Sequence, residues 1–66
     1  MDPKEYHTQV LMSVDGMNYS NHHQELMDKW IENNGRFIEL SQANGNSPET
    51  CVENIEAEMQ KNLQNE

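Results

Sequence analysis

Leu26-Met27-Asp28-Lys29-Trp30-Ile31-Glu32-Asn33-Asn34-Gly35-Arg36-Phe37-Ile38 is the stretch whose reading decides the fold. Leu26, Met27, Trp30, Ile31, Phe37 and Ile38 fall on one face at helical spacing, and the stripe runs on to Ser41 or Ala43. The opposite face carries Glu25 four residues before Lys29, and Glu32 four before Arg36. In that order each pair supports a helix by about 0.2–0.5 kcal/mol. Asn33-Asn34-Gly35 is the weak point, since a mid-helix Gly costs about 1 kcal/mol relative to Ala. The stripe keeps its phase across it, which predicts one helix over 21–43, with a bend allowed there. Ser20 or Asn21 caps its start, Asn21 with Gln24 resembles a capping box, and Asn44-Gly45 ends it.

Outward toward the C-terminus, Ser47-Pro48-Glu49-Thr50 supplies a cap, a proline suited to the first helical position, and a favourable charge near the helix dipole. Val52, Ile55, Met59 and Leu63 then share one face, predicting a helix over 48–64. The short linker Asn44-Gly45-Asn46 turns it back antiparallel on the helix before it. Toward the N-terminus, Asp2-Pro3-Lys4-Glu5 is another helix start, and Tyr6, Val10 and Val14 recur every four residues. Asp15-Gly16 closes that helix, with Gly16 free to turn left-handed. A competing pattern exists: Val10, Met12 and Val14 alternate before Asp15-Gly16, and Met17 and Tyr19 after it, as in a β-hairpin. The helix start decides for a short helix near 3–14.

The fold class is therefore all-α, one domain over 1–66: a helical hairpin with a short N-terminal helix packed across it. Leu, Ile, Val and Phe number only eleven in 66 residues, and the net charge is -8. Such compositions border on those that do not fold alone. Below roughly 70–80 residues a single core seldom supplies more than about 3–5 kcal/mol. The shortage predicts a homodimer or higher oligomer formed along Leu26, Met27, Trp30, Ile31, Phe37 and Ile38 against Val52, Ile55, Met59 and Leu63. Trp30 is its natural anchor, since Trp is enriched at binding hot spots. Met12, Met17, Met27 and Met59 fill gaps in a modest core or form an adaptable groove.

Composition also excludes classes of function. The single cysteine, Cys51, rules out an internal disulfide and fits a reducing compartment as a small buried hydrophobe. No run approaches the roughly 20 apolar residues of a membrane span. The short run Val10–Met12 behind Asp2 and Glu5 does not read as a signal peptide. A soluble, cytoplasmic protein is expected. Four bases against twelve acids argue against direct nucleic-acid binding, which needs cations to displace counterions. They favour a basic protein partner.

His22, His23 and Glu25, with His7 in reach, form the one metal-like cluster. Yet His22 and His23 point about 100° apart on a helix, and too few ligands converge for a metal site. They read as exposed first-turn histidines. Glu49, Glu53 and Glu56 line one face of the last helix, as a solvated face or as carboxylates for a basic surface. No phosphate-binding glycine loop and no nucleophile with a placed base is present, so neither catalytic residues nor a cofactor are expected. Phe37-Ile38-Glu39-Leu40, then Gly45, Ser47-Pro48-Glu49 and a closing helix, loosely resembles the helical-hairpin sporulation phosphatases over about half the chain. Their Ser-Gln-Glu-Leu-Asp stretch is missing here, where the corresponding region reads Val52-Glu53-Asn54-Ile55-Glu56-Ala57-Glu58-Met59, so no residue role carries over.

The function expected is that of a small acidic, non-enzymatic module that regulates or inhibits a protein partner, as phage and mobile-element accessory proteins often do. The alternatives are an assembly subunit acting by self-association, and an acidic nucleic-acid mimic that occupies a basic groove.

Overall fold

The computed structural model describes residues 1–64, with side chains up to Lys61. Four helices follow one another: α1 (Pro3–Gly16), α2 (Asn21–Asn33), α3 (Gly35–Ala43) and α4 (Pro48–Gln64). The fold is all-α, with no strand among the described residues, so the hairpin pattern around Asp15-Gly16 gives way to helix.

The start signals operate as their chemistry dictates. Asp2 Oδ1 accepts from the Lys4 amide at 2.8 Å, with Pro3 opening α1. Ser47 Oγ accepts from the Thr50 amide at 3.2 Å at the head of α4. Ser20, and not an Asn21–Gln24 box, caps α2: its Oγ accepts from the His23 backbone N–H at 3.2 Å, while the Gln24 side-chain Nε2 donates to Asp15 Oδ1 instead. The stop after Ala43 is a Schellman turn. Gly45 N–H donates to Gln42 O at 2.9 Å and Asn46 N–H to Ser41 O at 3.1 Å, with Gly45 at φ +81°. The end of α1 differs from expectation. Gly16 stays helical, and the left-handed residue is Asn18 at φ +57°, a conformation that Asn tolerates better than most side chains.

The predicted helix over 21–43 is in fact two. Asn34 leaves helical geometry at φ -127°, ψ 43°, and its side-chain Nδ2 donates to Trp30 O at 2.8 Å. A short Asn side chain that bonds the backbone competes with the helix, and Gly35 beside it offers little resistance. Phe37 N–H then donates to Asn34 O at 2.9 Å and restarts the coil as α3. The break separates Glu32 from Arg36, and neither Glu32–Arg36 nor Glu25–Lys29 forms an ion pair.

The core comprises Tyr6, Val10 and Val14 of α1, Met27 and Ile31 of α2, Ile38 of α3, and Cys51, Val52 and Ile55 of α4, each at most 3% exposed within a single chain. Leu11, Tyr19, Trp30, Phe37 and Met59 pack against it, partly buried. The most extensive helix packing is between α1 and α4, so α1 is a central element and not a strap across a hairpin. A polar tie fixes it: Tyr6 Oη donates to Asn46 O at 2.8 Å and lies 3.3 Å from Ser41 Oγ. Desolvation raises the Tyr6 pKa, and the Ser41 hydrogen bond partly offsets it.

Candidate protein-binding face

Five of the ten residues assigned by sequence to an intermolecular seam are interior to one chain: Met27, Ile31, Ile38, Val52 and Ile55. Leu63 lies outside the residues whose side chains are described. The remaining four, Leu26, Trp30, Phe37 and Met59, are accessible to solvent in part. They sit on three helices, and the break at Asn34 brings two of them, Trp30 and Phe37, into contact. Trp30, near the end of α2, meets Phe37, in the first turn of α3, edge to face at 5.0 Å between ring centroids and 85° between planes. That geometry suits the aromatic quadrupoles and holds both rings as one ridge.

Two shallow hollows lie on the flanks of α4, one shared with α2 and the other with α3. One is lined by His23, Leu26, Glu56, Met59 and Gln60. The other is lined by Phe37, Leu40, Ser41, Asn44, Asn46, Asn54, Ala57 and Glu58. Leu26 is 43% exposed and Leu40 53%, far above the core values, so this face retains apolar surface that the fold does not cover. Leu40 was missing from the sequence-derived stripe. Two residues after the buried Ile38, it leaves α3 on the outer side, so the buried stripe gave no signal for it.

The histidines do not converge with Glu25. His22 is exposed, while His23 stacks on Tyr19 at 4.3 Å and 5°, with its Nε2 3.5 Å from Glu56 Oε1. This is the one ion pair formed among the described residues when His23 is protonated. Tyr19 Oη is buried without a hydrogen-bond partner. Burial first, and then the nearby Glu56 carboxylate, push its phenol up to about 12. No group of three or more His, Cys, Asp or Glu side chains is placed to hold a metal ion among the described residues.

The acidic trio of α4 also divides. Glu49 and Glu53 are exposed, whereas Glu56 is partly buried and turned toward α2. Cys51 is fully buried as a free thiol, in keeping with its reading as a small hydrophobe. Among the described residues no helix is long and apolar enough to cross a membrane. The chain matches no protein-family model, no curated protein and no solved structure.

Proposed function

We propose that this chain is a non-enzymatic protein-binding module, a regulator or inhibitor of a protein partner, working through the face built by Leu26, Trp30, Phe37, Leu40 and Met59. The observation that carries the reading is the contrast in burial. The described core closes within one chain, yet the Trp30–Phe37 pair and the leucines Leu26 and Leu40 stay partly open. Apolar patches of this kind, centred on a Trp, are where binding energy concentrates. Cys51 supports the non-enzymatic side of the reading, because a thiol sealed in apolar surroundings is a poor nucleophile.

The same ridge supports a second reading, self-association into a homodimer or a larger assembly. A third, nucleic-acid mimicry, draws on the exposed Glu49 and Glu53. A cytoplasmic setting suits all three. One experiment separates them. Immobilised wild-type chain and the double variant Leu26→Glu/Leu40→Glu are offered the same lysate, and both are sedimented at micromolar concentration. A regulator loses its captured partner in the double variant at unchanged melting temperature. An assembly subunit loses mass instead. Capture that survives in the double variant but fails in Glu49→Lys/Glu53→Lys transfers the function to the acidic face.

A further inference from the structure

We infer that the Asn34–Gly35 link between α2 and α3 is a modification site: in the folded chain Asn34 loses its side-chain amide to water, ahead of Asn44 in the Asn44–Gly45 pair, and the product disturbs the Trp30–Phe37 contact. The chemistry is that open to any Asn-Gly pair. The glycine backbone nitrogen gives its proton to solvent base and attacks the asparagine Cγ. The new N–C bond closes a cyclic imide, and Nδ2 leaves as ammonia. Water then opens the ring at either carbonyl, giving an aspartyl or an isoaspartyl residue. Glycine permits the approach because it has no Cβ in the way.

The sequence offers two such pairs, and the fold treats them differently. At the end of α3 the Gly45 N–H donates to Gln42 O at 2.9 Å, inside the Schellman turn. The exposed Gly35 N–H has no acceptor among the described residues. An amide held in a hydrogen bond yields its proton only after that bond opens. The nucleophile is therefore restrained at Gly45 and available at Gly35.

Attack also needs the peptide plane before the glycine to turn. At Asn34 this costs the bond from the Phe37 N–H to Asn34 O, and Asn34 itself belongs to neither helix. Nothing lies within 4 Å of where a Gly35 Cβ would stand, so the plane has room. At Asn44 the same turn breaks the Gly45 bond and disturbs Asn46, whose N–H donates to Ser41 O and whose carbonyl accepts from Tyr6 Oη.

The product alters the break. Asn34 Nδ2 now donates to Trp30 O at 2.8 Å. An ionised carboxylate has no donor, so two acceptors would face each other at the C-terminal end of α2, where the helix dipole is already negative. The isoaspartyl form also lengthens the main chain between the helices by one carbon. Trp30 and Phe37 stand on either side of this link, so their edge-to-face contact changes with it.

The test ages the full chain in mildly alkaline buffer at physiological temperature. Trypsin, cutting after Lys29, Arg36 and Lys61, puts the two pairs on separate peptides, Trp30–Arg36 and Phe37–Lys61. Fragment masses then place each amide-to-acid gain. The expected result is that Asn34 converts several-fold faster than Asn44 in the native chain, and that the two rates come together in strong urea. Gly35→Ala suppresses conversion at Asn34 and leaves Asn44 unchanged. The added methyl has open space and Gly35 has no positive φ, so the melting temperature does not fall. Hydrogen exchange is faster at the Gly35 amide than at the Gly45 amide. Trp30 emission shifts in step with conversion, and fresh Asn34→Asp shows a shift from the start.

Conversion of Asn44 as fast as that of Asn34 in the native chain overturns the inference. So does conversion at Asn34 that persists undiminished in Gly35→Ala, or a Gly35 amide as protected as that of Gly45. Emission that stays constant while Asn34 converts overturns the claimed effect on the Trp30–Phe37 contact.

Discussion

The α1–α4 seam and the α2–α3 shoulder draw on the same scant supply of apolar side chains and use it differently. At the seam, Tyr6, Val10 and Val14 meet Cys51, Val52 and Ile55, and all six are at most 3% exposed. At the shoulder, Met27, Ile31 and Ile38 go inward, while Leu26, Trp30, Phe37 and Leu40 stay partly in water. The seam is continuous helix on both sides; the shoulder is interrupted at Asn34. The difference teaches that a small chain can divide its labour by region. One pair of helices holds the fold, and the broken pair displays what remains.

The sharpest way to break this division is Ile55→Ala. A fully buried Ile cut to Ala costs about 2–5 kcal/mol, transfer and cavity together. That is comparable with the whole stability of about 3–5 kcal/mol available to a chain this short. The variant is expected to be largely unfolded at room temperature by circular dichroism and urea titration.

Tyr6→Phe comes next. It removes the phenol that donates to Asn46 O and strips Ser41 of a neighbour, at a cost of about 1–2 kcal/mol. A lowered urea midpoint with an unchanged slope would check it. A wild-type midpoint would show that the polar tie contributes nothing to the seam.

Tyr19 sharpens the comparison through pH. Its phenol titrates near 12 in the fold against 10.0 for the ordinary group, so the folded state favours the neutral form. That contribution is complete below pH of about 10 and disappears as pH climbs through about 12. Alkaline titration followed by tyrosinate absorbance and helicity together should show unfolding in this window. Tyr19→Phe should remove part of the slope and leave the part due to Tyr6, whose pKa is also raised.

The smallest effect belongs to the shoulder's rim. Leu40→Gln alters a half-exposed position and should change stability by no more than about 0.5 kcal/mol. A loss of about 2 kcal/mol or more would mean that Leu40 supports the fold, and that the ridge is core by another name.

Much of the architecture was legible from local chemistry. Asp2-Pro3, Ser47-Pro48 and Asn44-Gly45 mark helix ends by side-chain capping and by the left-handed freedom of glycine. These signals need nothing from the rest of the chain. The repeat Tyr6, Val10, Val14 gave the buried face of α1 in the same way. The break at Asn34 was not legible, because Met27, Ile31 and Ile38 keep helical phase across it. The non-helical φ and ψ of Asn34 and its bond to Trp30 O show that the coil stops.

The depth of the core was hidden for a different reason. Counting Leu, Ile, Val and Phe omits Tyr6, Met27 and Cys51, which make up three of the nine buried core residues among those described. Each carries a polar or polarisable atom, and whether such a residue goes inside depends on a partner or a shape that only the fold provides. For Tyr6 that partner is the Asn46 carbonyl, forty residues away. The candidate face was half visible: Trp30 and Phe37 stood out, but their edge-to-face contact exists only because two helices meet at an angle.

The thiol at the seam has a practical consequence. Cys51 has no solvent access, and it is the chain's one cysteine. An alkylating reagent can reach it only when α1 lifts from α4. Labelling speed, compared with that of a free thiol, then acts as a built-in stopwatch for rare openings of the native state, readable by mass and with no engineered probe.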